Sequence, residues 1–179
     1  MDEPKPDAVA FVSVGSNIEP QDNVSGALNL LLLHVTVTGT STFCSTTPVG
    51  PPGQPEFVNG VWQIHTSLSP WQLTSQVLHP IESQLGRVRS PDKFAPRPID
   101  LDLILYNDLV LKQDDVELPH PDISRPFVWV PILELLDNVL IDPKLARNIS
   151  ALLPSAQEVS DWGIPLWELT QTLREKIQA

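Results

Sequence analysis

Between Thr46 and Pro55 the chain reads Thr-Thr-Pro-Val-Gly-Pro-Pro-Gly-Gln-Pro. Its prolines lack backbone donors and fix φ, so neither a helix nor an interior strand can run through it. The segment has to be a long shaped loop, and loops of that kind in compact domains are functional or disordered. The chain on either side must therefore build its own short elements.

Before the loop, residues 8–14 (Ala-Val-Ala-Phe-Val-Ser-Val) read as a buried strand that Gly15-Ser16-Asn17 ends with turn chemistry. Residues 22–34 carry Val24, Ala27, Leu28, Leu31 and Leu32 at helical spacing behind Pro20, which suits a helix entrance. Residues 35–43 alternate Val and Thr with other residues and predict a second strand. After the loop, residues 57–66 predict a strand with Phe57, Asn59, Val61 and Gln63 on one face and Val58, Trp62 and Ile64 on the other. Ser69-Pro70 opens a helix to about Leu85, with a kink or break expected at His79-Pro80.

Residues 97–106 predict a third long strand, and residues 109–111 a short one. Leu118-Pro119-His120-Pro121 is a rigid connector, residues 131–136 form a short helix, and residues 164–177 form a terminal one. The resulting β-α-β-β-α-β order is that of a ferredoxin-like α+β sandwich, a mainly antiparallel sheet with helices packed on it. With 179 residues the chain fits one domain, taken as residues 8–143, followed by a helical C-terminal extension over residues 144–179.

Charge narrows the function. Acidic residues outnumber basic ones 22 to 11, for a net charge of −11, which excludes general nucleic-acid binding because a polyanion would be repelled. The longest apolar run, around Leu30–Leu33, is far short of the roughly 20 residues of a membrane span. The first residues lack the basic-then-apolar pattern of a secretory signal, and the lone Cys44 has no disulfide partner within the chain. These features set the expectation of a cytoplasmic protein without membrane or nucleic-acid partners.

After Lys5 there is no Lys or Arg until Arg87, and then Arg87, Arg89, Lys93 and Arg97 arrive together, just ahead of Asp100 and Asp102. A solvated, self-neutralising loop would give that run, and so would a polyanion site with a metal ion. On a strand, Asp100 and Asp102 share a face while Leu101 and Leu103 pack inward. Two carboxylates this close repel unless a cation lies between them, and Mg²⁺ suits one or two carboxylates plus substrate phosphates. Two solvated acids at a strand end remain the plain alternative. Arginines bind phosphate oxygens bidentately, so metal on one side and guanidinium on the other is the layout of phosphoryl transfer. No Gly-rich phosphate loop or kinase signature accompanies it.

The string Arg97-Pro98-Ile99-Asp100-Leu101-Asp102-Leu103, followed by Pro119-His120-Pro121 and Phe127, closely resembles the 6-hydroxymethyl-7,8-dihydropterin pyrophosphokinases of folate synthesis. Val14-Gly15-Ser16-Asn17, Pro48-Val49-Gly50, Gln54 to Asn59, Ile81-Glu82 and Gly86-Arg87 match as well, so the resemblance spans about residues 10–143. It implies transfer of the β,γ-pyrophosphoryl group of ATP to the pterin hydroxymethyl group, releasing AMP. By that analogy Asp100 and Asp102 hold two Mg²⁺ ions, and Arg87 and Arg97 engage the triphosphate. Glu82, Leu103, His120 and Arg125 fall at ATP-side positions. Phe57 and Phe127 would sandwich the pterin and Asn59 would read its polar edge, completed by backbone groups near Thr46 and Val49. A monomer is expected. The basic loop departs from the family pattern, with Ser90 where a basic residue is frequent, Phe94 for Trp and Ala95 for Gly. A catalytically silent pterin- or nucleotide-binding module of the same fold is the alternative. Metal-dependent phosphoester hydrolysis lacks a general base beside the carboxylates.

Overall fold

Strand β1 (Ala8–Ser16) is the spine of the molecule in the computed structural model, which describes residues 7–137, 141–154 and 162–179. It pairs antiparallel with β4 (Phe57–Thr66) on one flank and β5 (Asp100–Tyr106) on the other. The far edge of β4 is shared by β2 (Thr36–Thr40) and β3 (Cys44–Thr46), and β8 (Ile164–Pro165) adds to β3. A separate hairpin is made by β6 (Leu111–Gln113) and β7 (Val116–Leu118).

The period-2 alternation of the strands sends their side chains to two cores. Val12, Val14, Trp62 and Ile64 pack on one face against α1 (Pro20–Leu31), the helical run that begins at Pro70, and α6 (Trp167–Gln178). On the other, Val9, Phe11, Val61 and Leu105 meet α4 (Pro126–Leu136) and α5 (Pro143–Leu152). The two faces expected for β4 are those observed.

Packing rather than capping holds α1. Its N-cap, Glu19, makes no side-chain cap hydrogen bond, a device worth about 1 kcal/mol. Val24, Ala27, Leu28 and Leu31 are fully buried, and each larger apolar side chain contributes about 1.5–3 kcal/mol.

Several boundaries differ from the sequence expectation. The helix from Pro70 does not break at Pro80: α2 (Pro70–Gln72) runs into a π-helical turn (Leu73–Leu78) and on into α3 (His79–Gln84). The His79 amide bonds the Thr74 carbonyl five residues back, and the widened turn accommodates the proline that a regular ladder would expel. The strand expected over 35–43 ends at Thr40, and a separate strand, β3, starts only at Cys44. Between them the Ser41 hydroxyl takes the Val61 amide hydrogen and interrupts the ladder. The strand expected from Arg97 starts at Asp100, because Arg97 pairs with Asn17 instead and Pro98 has no amide to donate. The short strand expected over 109–111 starts at Leu111, α4 starts at Pro126 rather than 131, and the terminal helix starts at Trp167 behind β8. That last helix buries Leu169 and Leu173 in the α1-side core. Among the described residues, no helix is long and apolar enough to cross a membrane.

Candidate active site

The ends of β1, β4 and β5 that lie together carry the polar residues, beyond the stretch of sheet that α4 covers. Across these strands Asp102 lies opposite Ser13, Asp100 opposite Gly15, and Gly15 in turn opposite Asn59. On the next strand Thr46 lies opposite Phe57. A cavity of about 370 Å³ opens here, lined among others by Thr46, Phe57, Asn59, Asp100, Asp102 and Phe127. Val49, Arg97 and Arg125 also reach it.

One side of the cavity is an ion network. Arg87 bonds both Glu82 and one oxygen of Asp100, while Arg97 Nη1 lies 3.0 Å from the other oxygen. Glu82 is buried on α3 and also accepts the Leu101 amide hydrogen at 2.8 Å, with Arg89 3.6 Å away. Burial pushes the Glu82 pKa up against the pull of that amide and of Arg87. Burial also works against the Arg87 charge, but Asp100 and Glu82 outweigh it and raise the guanidinium pKa. Arg97 is set by its main chain: its amide donates to Asn17 Oδ1 at 2.8 Å and its carbonyl accepts from the Asn17 amide at 3.2 Å.

Among the described residues, Asp102 has no such partner. Burial and the charges of Asp100, Glu82 and Asp122 push its pKa up to about 8. His120 Nδ1 accepts the Asp122 amide hydrogen at 3.1 Å, which leaves the proton of a neutral ring on Nε2. One donor atom each from Asp102, His120 and Asp122 lie within 4.8 Å of one another. Asp122 also holds Arg125 at 3.0 Å, and that guanidinium lies 5.9 Å from the Phe127 ring centroid.

The opposite wall is apolar and amide-lined. Phe57 and Phe127 are half-buried, and the buried Asn59 donates through Nδ2 to Thr46 Oγ1 at 2.6 Å. The proline loop and the basic loop meet over the opening. Gln54 Nε2 donates to the Phe94 carbonyl at 2.7 Å, and the Phe94 ring lies over Gly50. A Cβ on Gly50 would stand 2.6 Å from that ring, and its φ of +125° excludes other residues without strain.

Residues 11–137 match the family of 7,8-dihydro-6-hydroxymethylpterin-pyrophosphokinases. The chain belongs to this family. It is 38% identical over 159 residues to the 2-amino-4-hydroxy-6-hydroxymethyldihydropteridine pyrophosphokinase of Synechocystis sp., covering 87% of this chain and 80% of the relative. Proteins of the same name from Haemophilus influenzae and Bacillus subtilis are 35% and 36% identical. Those matches cover 74% and 73% of this chain and 84% and 80% of the relatives.

Set against the pyrophosphokinase family, the residues singled out in the sequence divide into groups. Asp100, Asp102, Arg97, Arg125, Thr46, Val49, Phe57, Asn59 and Phe127 reach one cavity. Glu82 and Arg87 stand behind Asp100, joined to it through the ion network. His120 joins through Asp102. Leu103 goes elsewhere: its side chain is buried in the core on the other face of the sheet, leaving only its main chain to meet a ligand. Sequence reasoning passed over Asp122, although it stands two residues after His120 in Pro-His-Pro-Asp. It also passed over Gln54 as a contact between the loops and Asn17 as the clamp on Arg97.

The donor set fits Mg²⁺, a hard cation that takes carboxylate oxygens. Asp102 forms no ion pair among the described residues, and each Asp100 oxygen keeps a lone pair after its arginine bond.

Proposed function

We propose that the two walls of this cavity divide the work of a pyrophosphokinase, with Asp100, Asp102, Arg87 and Arg97 on the triphosphate and Phe57, Asn59 and Phe127 on the pterin. The protein is an ATP-dependent pyrophosphokinase of folate biosynthesis that acts on 6-hydroxymethyl-7,8-dihydropterin. The pterin hydroxymethyl oxygen gains the pyrophosphoryl group and loses its proton, and AMP leaves. The observation that carries the assignment of roles is the shared sheet row: a carboxylate bound by two arginines stands on one side of Gly15 and a buried amide on the other.

In this reading Asp100 and Asp102 hold Mg²⁺, two ions in all, which neutralise charge developing on the phosphates. Arg97 reaches the cavity with its backbone already clamped, so little freedom is lost when it meets phosphate. Arg87 is held behind it by Glu82 and Asp100. With Nδ1 taken by the Asp122 amide, His120 has Nε2 left to offer ATP, and Arg125 reaches the cavity beside it. A flat heteroaromatic ring takes apolar surface on its faces and fixed polar groups at its edge, which Phe57, Phe127 and the Asn59–Thr46 pair supply. The chain works as a cytoplasmic monomer in this reading, consistent with its single, buried cysteine.

The test is product analysis after mixing protein, Mg²⁺, ATP and 6-hydroxymethyl-7,8-dihydropterin. AMP and the pterin diphosphate in equal amounts are expected. Ligand binding without AMP, or phosphate release that needs no pterin, overturns the reading.

A further inference from the structure

Strand β3 is three residues long, and the proline loop begins as it ends. A strand so short, at the edge of a sheet, is weakly held by one neighbour. Yet β3 carries Thr46, whose hydroxyl accepts the Asn59 side-chain hydrogen bond inside the pterin wall. Something else has to hold it.

We infer that the strand–helix segment 162–179 is a positioning element for the pterin wall: it clamps β3 and thereby fixes the Thr46 hydroxyl that orients Asn59. The inference rests on the functional reading above and extends it to a part of the chain that lies beyond residues 11–137.

Three observations converge on it. First, β8 pairs with the outer edge of β3, Cys44 opposite Pro165 and Ser45 opposite Ile164, so β3 lies between two partners. Secondly, both main-chain groups of Phe43, the residue before β3, are taken by this segment. The Phe43 amide donates to Thr170 Oγ1 at 3.0 Å, and its carbonyl accepts from the Leu166 amide at 2.8 Å. Thr170 is fully buried, so the Phe43 amide has no water to fall back on if that hydroxyl goes. Thirdly, Gly163 lies directly on β3. A Cβ there would stand 2.8 Å from Cys44 Cβ, 2.9 Å from the Ser45 carbonyl oxygen and 3.1 Å from Thr46 Cγ2.

Asn59 shows why such a clamp matters. Its Nδ2 is committed to Thr46, so the side chain presents one fixed orientation to the cavity. Recognition of a polar ring edge tolerates displacements of only about 0.5 Å, and a β3 free to move would pass its motion to Asn59. The triphosphate wall is built on β5 and α3, with β1 and β4 between it and β3, so the clamp does not touch it.

The test uses the full chain and separates pterin binding from nucleotide binding. Thr170→Val removes the hydroxyl acceptor, Thr170→Ser keeps it, and Gly163→Ala presses on Cys44 and Thr46. Calorimetry measures a non-hydrolysable ATP analogue with Mg²⁺, then the pterin added to that complex. In Thr170→Val and Gly163→Ala we expect pterin affinity to fall about tenfold, with the analogue affinity within about twofold of wild type and Thr170→Ser restoring pterin binding. Unchanged pterin affinity in the folded variants, or equal losses for both ligands, overturns the inference. If Thr170→Val melts below the assay temperature, Gly163→Ala decides, since it removes neither partner of the Phe43 hydrogen bonds. A wild-type protein that ignores the pterin altogether overturns the functional reading instead.

Discussion

Asp100 and Asn59 stand opposite the same residue: Gly15 on the central strand pairs with Asp100 on one flank and with Asn59 on the other. Two strand spacings separate their backbones, about 10 Å. The carboxylate proposed for the triphosphate and the amide proposed for the pterin edge are therefore fixed relative to each other by sheet hydrogen bonds, not by loops. Register is the critical variable. A slip of one residue in β5 would turn both aspartates into the core and bring Leu101 and Leu103 to the cavity.

Asp102→Asn separates activity from stability. It removes a carboxylate that burial and three like charges oppose, so the metal-free variant should melt at a higher temperature than wild type. Turnover should fall by about 100-fold or more, since loss of an outer-sphere metal partner alone costs about 10–100-fold. Thermal melts without metal and AMP release with metal check the two halves. A variant that melts earlier than wild type would mean Asp102 is not repelled in the folded protein.

The pH dependence follows with a definite sign. Asp102 ionises at about 8 in the folded protein against 3.8 ordinarily, so the folded state keeps a proton that the unfolded chain releases. This group therefore makes metal-free stability fall as pH rises from 3.8 to about 8, and adds no further slope above that. Mg²⁺ needs the ionised form, so the rise in Tm on adding Mg²⁺ should grow over the same interval. Melts with and without Mg²⁺ across that range check it, and a Tm gain independent of pH contradicts it.

Phe57→Ala and Phe127→Ala should each weaken pterin binding by about 10-fold, from loss of an aromatic face worth about 1–3 kcal/mol. The analogue of ATP should be little affected by the Phe57 change. Phe127→Ala also removes the ring beside Arg125, so a modest loss on the nucleotide side is expected there. Parallel titrations of the two ligands give the comparison.

Cys44 should resist alkylation in the native protein. Burial, with Glu134 adding to it, pushes its pKa up to about 11, so little thiolate is present near neutral pH. Mass spectrometry after iodoacetamide should find it unmodified until denaturant is added. Rapid labelling under native conditions would show that the β3–β8 edge opens.

Much of this was legible in the sequence where one physical signal dominated. The alternation of β4 put Phe57 and Asn59 on one face of their strand, and the D-x-D put both aspartates on one face of β5, because strand periodicity is local; that the two faces coincide comes from the sheet register. What the sequence hid was non-local. The run over 35–43 looked like one strand because nothing in its composition tells of the Ser41 hydroxyl taking the Val61 amide hydrogen. Pro80 looked like a kink or a break because the π-helical turn that absorbs it has no composition of its own. Leu103 drew attention through its place in a motif, although the strand parity legible in the sequence had already turned its side chain to the core, where it lies. Asn17 read as turn chemistry, and its grip on Arg97 spans 80 positions of chain.

Glu82 joins two tasks in one side chain. Its buried oxygen receives the first amide hydrogen on the outer edge of β5 and the Arg87 guanidinium together. A genetic screen scoring protein abundance would classify this position as structural, and one scoring folate supply would classify it as catalytic. Suppressors of the two defects should map to different places, the sheet edge for the first and the arginine loop for the second. No single reversion short of restoring a carboxylate should cure both.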